Sequence, residues 1–351
     1  MTIYINGRFL TQKVTGVNRF GIEICKALQK AGLEFTVIVP VYCNNTYDFN
    51  IVRYGKLKSH FWEQISLFWF LKKKRSPLLI NFSGLGPLFY KKQIITIHDL
   101  SFYHEPKWFS KKYYFFYSRA TPIIAKNCLK ILTVSEFSKG EIIKWLKVKA
   151  NKINVVYNAV GSEHYEDLNK KENYILAVSS LDPRKNYKRL IQAFNSKELE
   201  YVSLYIVGKD ENNFRKDFTT QSRKNVFFLG YVDDKKLHEL YVNAIAFIYP
   251  SLYEGFGIPP LEAMSKGCPV IVSEIPVLKE ICGDAAMFVD PYSVESIKKG
   301  ILRITIDQEL RRSLVGKGYE QIFKYSWEKS AKEIIWLIKN IIEQEQLSNL
   351  D

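Results

Sequence analysis

The sequence predicts an α/β protein made of two Rossmann-like, doubly wound domains facing each other across a central cleft, and three observations predict it. The chain has 351 residues, about twice the usual size of a domain with its own core. Short β-branched or aromatic runs alternate with segments of helical periodicity, which is the pattern of parallel sheets wrapped by helices. That alternation breaks at the polar stretch 161–173, GSEHYEDLNKKEN, and then begins again. The break sets a first domain over residues 1–162 and a second over 163–326, with a closing helix over 327–346 expected to pack back on the first.

In the first domain the strand candidates are TIYIN, FTVIVP, LLINF, QIITI, KILTV and INVVY. Between the first two, Val17, Phe20, Ile24, Ala27 and Leu28 recur at helical spacing, and Gly32 closes the helix. Ser135 stands where an N-cap belongs, ahead of EFSKGEIIKWL. In the second domain the strands are YILAV, VSLYIV, NVFFL, AIAFIY, PVIV and AAMFV. The closing helix carries Ile334, Ile335, Leu337, Ile338, Ile341 and Ile342.

Composition narrows the function classes. With 47% hydrophobic and 25% charged residues the chain is an ordinary globular one, and no run reaches the roughly 20 apolar residues of a membrane span. The opening MTIYINGRFL lacks the charged-then-apolar order of a secretory signal, so the expected location is the cytoplasm. Cys25, Cys43, Cys128, Cys268 and Cys282 have no CxxC spacing and read as buried small hydrophobes in a reducing compartment. The net charge of +15 asks for an anionic partner, be it nucleic acid, anionic lipid or a phosphorylated substrate. No nucleic-acid-binding motif appears, and NGRFLTQKVTGVNRFG follows the first strand where an NAD-dependent oxidoreductase needs G-x-G-x-x-G.

Two constellations sit at the carboxyl ends of strands, where such sheets bind ligands. In YPSLYEGFGIPPLEAMSKGCPVI, residues 249–271, Gly255 and Gly257 permit close backbone approach, and Pro259 and Pro260 suit a first helical turn. Glu254 then lies in the loop and Glu262 in or near that turn, so the two carboxylates bracket a ligand and accept hydrogen bonds from its hydroxyls. In AVSSLDPRKNYKRLIQAF, residues 177–194, Arg184 and Lys185 precede a helix start, where basic residues oppose the helix dipole and where a diphosphate would be welcome. His98 follows the run IITI, and a neutral imidazole at that strand end could donate to a sugar hydroxyl; Asp99 beside it would orient a loop. His60, His104, His164 and His238 have no such context. Asp233 and Asp234, in VDDKKLHELY, read as a capped helix start, and no convincing DxD metal motif is present.

Glu254 to Glu262 resembles the E-x7-E motif of glycosyltransferase family 4, the retaining GT-B enzymes. The TGV turn at Thr15 to Val17, IHDL at 97–100, VSEFS at 134–138, VVYNAV at 155–160 and the PRKN run follow in the family's order. The resemblance implies a GT-B fold and transfer of a hexose from a nucleotide sugar with retention of configuration. It gives Glu254 the transferred sugar's hydroxyls, Gly255, Phe256 and Gly257 its backbone contacts, Glu262 the ribose, and Lys185 with Arg184 the diphosphate. Gly16 would approach the phosphates and His98 would sit beside the sugar. Ser179, at the donor-binding position, and Ser180 stand where glycine and threonine are often found. Similarity to bacterial O-antigen and capsule mannosyltransferases points to GDP-mannose, ahead of dTDP-rhamnose, GDP-fucose and UDP sugars, with no metal required. The acceptor would be a glycan or a polyprenyl-diphosphate-linked oligosaccharide. A non-catalytic nucleotide-sugar or glycan-binding module is the alternative.

Two stretches mix aromatic and basic residues: HFWEQISLFWFLKKKR at 60–75 and KWFSKKYYFFYSR at 107–119. They read either as segments that lie on the inner face of an anionic membrane or as amphipathic helices docked on the first domain.

Overall fold

A computed structural model describes residues 2–12, 16–45, 47–83, 85–161, 171–209 and 224–347. The chain separates into two compact units, Met1–Asn158 with Ser326–Asp351, and Ala159–Tyr325. The expected joint at 162/163, His164 and Thr15 of the TGV turn lie outside the described residues.

Among the described residues the first unit holds a parallel sheet of seven strands: β1 Ile3–Asn6, β2 Thr36–Val39, β3 Ile51–Arg53, β4 Leu78–Asn81, β5 Gln93–Thr96, β6 Lys130–Thr133 and β7 Ile153–Val155, in the order β3-β2-β1-β4-β5-β6-β7. The second holds six: β8 Glu172–Val178, β9 Ser203–Val207, β10 Val226–Gly230, β11 Ala244–Tyr249, β12 Val270–Ser273 and β13 Ala286–Val289, in the order β10-β9-β8-β11-β12-β13. Both orders are the doubly wound one, reversing between the first and fourth strands of the unit. Strands such as Leu78–Asn81 and Val270–Ser273 are buried along their whole length, which is why they read as continuous apolar runs without alternation. β3 was not expected: three residues at a sheet edge are too few to leave a pattern.

The helices show why their sequences form them. Gly16–Lys30 buries Phe20, Ile24, Ala27 and Leu28, and ends where Gly32 turns left-handed at φ 80°, so that Leu33 N–H reaches the Leu28 carbonyl. Val17, expected on the apolar face, is exposed in the first turn. Ser135 caps Glu136–Leu146 by accepting from Ser138 N–H at 3.0 Å, and Asp233 caps Asp234–Asn243 through Lys236 N–H at 2.7 Å. Trp327–Leu347 belongs to the first unit, where it packs on Gly16–Lys30, bringing the Trp327 ring to 6.0 Å from Phe20. All five cysteines are buried and unbridged. No described helix is long and apolar enough to cross a membrane.

The first aromatic-basic stretch is a helix over 59–73 whose middle, Trp62–Leu67, widens into a π turn. Trp62, Leu67, Phe70 and Leu71 face the core, while Phe61, Ile65 and Trp69 are exposed. The second falls in helix Lys111–Asn127, where Tyr113, Phe115 and Phe116 are exposed. Core packing therefore accounts for only part of each aromatic set.

Candidate functional site

In the second unit the polar groups gather where the strand order reverses, between β8 and β11. The chain leaving β8 makes a single turn of 3-10 helix, Pro183–Lys185, capped by Asp182, whose carboxylate accepts from Arg184 N–H at 3.0 Å. Asn186 follows in a left-handed conformation, φ 59°, which asparagine tolerates better than most residues. Its side-chain amide donates to the carbonyls of Pro250 at 3.0 Å and Pro291 at 2.7 Å, and Leu252 N–H donates to the Arg184 carbonyl at 2.8 Å. The loops after β8, β11 and β13 are thereby tied into one piece. Gly208, after β9, presses against the same piece: a Cβ there would lie 1.7 Å from the Ser179 carbonyl oxygen.

Inside this brace Lys185 Nζ lies 2.5 Å from Glu254 Oε1 and donates to the Tyr249 hydroxyl at 2.8 Å. Both charged side chains are more than nine-tenths buried. Burial pulls the Lys185 ammonium below its usual range, against the opposing pull of Glu254. Burial alone would raise the Glu254 carboxyl, but Lys185 and Arg184 together hold it below the usual carboxylate range. Burial also raises the Tyr249 phenol well above its usual range, which keeps it a neutral hydroxyl. Arg184 is half-buried, with its Nε 3.8 Å from Asp182.

Lys185 and Glu254, read from the sequence as a diphosphate clamp and a sugar contact, are thus each other's partner in this structure. Glu262 sits just past the first turn of helix Ile258–Ser265, half-buried, with the Tyr241 hydroxyl 3.4 Å from its Oε2. The two glutamates do not pair with one another. Gly257 begins that helix at φ 98°, and a Cβ on it would meet Leu278 at 2.8 Å. The Phe256 ring packs edge-on against Tyr325 at 5.7 Å, so its side chain belongs to the core and only its backbone suits a ligand contact. Ser179 Oγ lies 2.7 Å from the Tyr187 hydroxyl.

In the first unit Gly16 is the exposed first residue of its helix. His98 lies at the end of β5, its Nε2 2.9 Å from the Phe82 carbonyl oxygen and its ring edge-on to Phe20 at 5.1 Å. Burial lowers its pKa, more than the Phe82 carbonyl and Asp99 raise it, so the ring is neutral. A carbonyl oxygen can only accept, so Nε2 carries the proton and Nδ1 is an acceptor. This corrects the expectation that His98 donates to a sugar hydroxyl: it can only receive from one. Asp99 orients the next turn as expected, accepting from Ser101 N–H at 2.9 Å and its hydroxyl at 2.6 Å.

Sequence reasoning missed three things. Tyr249, the last residue of β11, and Asn186 lay inside quoted motifs but had no charge to draw notice. His60, set aside for want of context, joins Glu63, Tyr117 and Arg8 in a cluster drawn from distant parts of the chain. Its Nδ1 lies 3.0 Å from Glu63 Oε2 and its Nε2 3.2 Å from the Tyr117 hydroxyl.

Comparison with known proteins agrees with this architecture. The family described as Glycosyltransferase Family 4 matches residues 14–164, and the one described as Glycosyl transferases group 1 matches residues 163–321. Between them they account for most of the chain, which is a glycosyltransferase with a family 4 domain followed by a group 1 domain. O-antigen chain mannosyltransferase B of Escherichia coli is 29% identical over 92% of this chain and 95% of its own length. O-antigen chain mannosyltransferase RfbU of Salmonella typhimurium is 35% identical over 61% of each. Among solved structures, sucrose-phosphate synthase from Thermosynechococcus elongatus superposes with a TM-score of 0.77 at 18% identity, covering 98% of this chain and 100% of that one. WaaG, a glycosyltransferase involved in lipopolysaccharide biosynthesis, gives 0.74 at 17% identity, covering 95% and 98%. These likenesses define the fold as GT-B.

Proposed function

We propose that this glycosyltransferase moves a mannosyl group from GDP-mannose, with retention of configuration, to a glycan or polyprenyl-diphosphate-linked oligosaccharide of a bacterial surface polysaccharide. The observation that carries the reading is the buried Lys185–Glu254 pair at the strand-order reversal of the second unit, braced by Asn186 and backed by Arg184. The O-antigen mannosyltransferases that resemble the chain supply the sugar. A departing nucleotide diphosphate gains negative charge as its bond to the sugar breaks, and Lys185 and Arg184 are cations already fixed in a low-dielectric surround, so stabilisation needs little rearrangement and no metal. Glu254, kept ionised by the same cations, accepts hydrogen bonds from the transferred sugar's hydroxyls. Glu262 holds the ribose, Ser179 and the backbone of Gly255 to Gly257 complete the donor contacts, and Gly16 approaches the phosphates. His98 accepts a hydrogen bond from a sugar hydroxyl through Nδ1.

The exposed Phe61, Ile65, Trp69, Phe115 and Phe116, with Lys72, Lys73, Lys74, Arg75, Lys111 and Lys112 in the same segments, set the first unit against an anionic membrane surface on the cytoplasmic side. Incubating the enzyme with GDP-mannose, UDP-glucose and dTDP-rhamnose, with and without a mannose-terminated lipid diphosphate, tests the donor assignment. Acceptor-dependent release of GDP and an α-linked product by NMR are expected. Nucleotide release from another donor alone would overturn the mannose reading, and tight donor binding without any turnover would make the chain a binding module.

A further inference from the structure

The first unit buries an arginine, Arg8, whose side chain is ion-paired with Glu63 but makes no hydrogen bond to any described residue. Arg8 follows β1, one of the two strands between which the order of the first sheet reverses. Gly7 before it has no side chain to hold the turn away: a Cβ there would lie 2.6 Å from Val37 and Val39. The Arg8 N–H donates to Asn6 Oδ1 at 3.2 Å and its carbonyl accepts from the Thr11 hydroxyl at 2.7 Å, so the backbone that carries it is fixed. The side chain is 8% exposed. Its Nε lies 3.1 Å from Glu63 Oε1 but out of hydrogen-bonding alignment, and no guanidinium N–H bonds to any described residue. Nε is sealed from solvent, whereas the Nη atoms are not, so the exposed part of the side chain is the two-pronged end.

Glu63 has hydrogen-bond partners of its own besides the ion pair with Arg8. Its carboxylate is fully buried and already takes Asn6 Nδ2 at 2.9 Å on Oε1 and His60 Nδ1 at 3.0 Å on Oε2. A carboxylate can only accept, so His60 donates from Nδ1; in the neutral ring Nε2 then receives the Tyr117 hydroxyl proton. Asn6 is held in turn by Asn81, and Asn81 by Gln93, in an amide chain from the last residues of β1 and β4 to the first residue of β5. The cluster is therefore a rigid support, and what it supports is a guanidinium with donors unused. The Nη donors reach solvent and are engaged by no described residue, so an incoming acceptor displaces only water from them. A planar fork of parallel N–H groups matches two oxygens of one phosphate or carboxylate.

We infer that Arg8, aimed from behind by Glu63, is a binding residue for an oxyanion at the strand-order reversal of the first unit. The group is a phosphate or carboxylate carried by the acceptor, or a free ion of the same chemistry. The residues that form the site all belong to the first unit, whereas Lys185 and Glu254 belong to the second.

The test uses the full chain carrying Lys185→Met and Glu254→Gln together, which removes the charges of the buried pair in the second unit so that they cannot report in place of Arg8. Inorganic phosphate, geranyl diphosphate and acetate are titrated at constant ionic strength, with chloride as control, and the melting midpoint is followed. A saturable rise with phosphate is expected. Arg8→Lys should weaken it by roughly tenfold, because an ammonium cannot form the two parallel bonds, and Arg8→Gln should abolish it. Tighter binding of geranyl diphosphate than of inorganic phosphate identifies a group carried on a substrate, and equal binding identifies a free ion. No saturable response beyond that of chloride, or one that survives Arg8→Gln unchanged, overturns the inference. Should Arg8→Gln fail to fold, Arg8→Lys alone decides, since it keeps the charge and most of the stem. The readout is the part of the binding that depends on Arg8, so a failed mannose assignment would leave it unaffected.

Discussion

The two units share a strand order and differ in what they place at its reversal. In the second, a lysine and a glutamate from the loops after β8 and β11 neutralise each other directly at 2.5 Å. In the first, the strand ends carry the neutral amides Asn6 and Asn81, and the buried carboxylate, Glu63, comes from a helix. Topology dictates that polar groups collect at these points, since strand ends there are uncovered by crossing connections. It does not dictate their chemistry, which follows from whether two opposite charges meet head-on or one charge is distributed over several donors.

The sharpest way to break that contrast is to remove one member of the direct pair. Lys185→Met leaves Glu254 buried without its main partner and should destabilise the protein by about 3–5 kcal/mol in urea titration. Adding Glu254→Gln should recover most of that loss, because neither charge then remains. A single variant as stable as the wild type would mean that Glu254 is solvated.

A smaller difference should appear on acidification. His98, lowered from an ordinary value near 6.5, binds its proton more readily in the unfolded chain, so its contribution is complete above that value and is lost as pH falls through and below it. Glu254, also lowered, loses its contribution only in the carboxylate range, below its ordinary value of 4.5. Hydrogen exchange resolved by unit should show the first unit loosening before the second between neutral pH and pH ~5. His98→Gln should remove that early phase. Simultaneous loosening of both units would count against the neutral, buried imidazole.

The smallest effect on stability belongs to the surface. Trp69→Ser should change the melting free energy by no more than about 0.5 kcal/mol, because the ring is 58% exposed. The same change should weaken co-sedimentation with vesicles containing phosphatidylglycerol. Unaltered sedimentation would return these aromatics to the role of incidental surface residues.

Most strands were legible in the sequence because a strand covered on both faces must be apolar along its whole length. β3 escaped since Ile51–Arg53 is half-covered and three residues long. Helix ends were legible through Ser135 and Asp233, whose caps are local. At the site, Glu254 and Lys185 were visible as charges in unusual local company, but their mutual pairing was not, because 69 residues separate them. The direction of the His98 hydrogen bond depended on a carbonyl 16 residues upstream, which no local pattern encodes. The Arg8 cluster draws on four segments, each unremarkable alone.

The helix Trp327–Leu347 returns to the unit that the chain began. On the ribosome, Phe20 and its neighbours emerge early, yet the Trp327 ring that covers them is made only after the whole second unit has been synthesised. The half of the protein that is translated first is therefore the half completed last. Until then its core edge is uncovered, and loss of the segment from Trp327 onward would strike the first unit rather than the second.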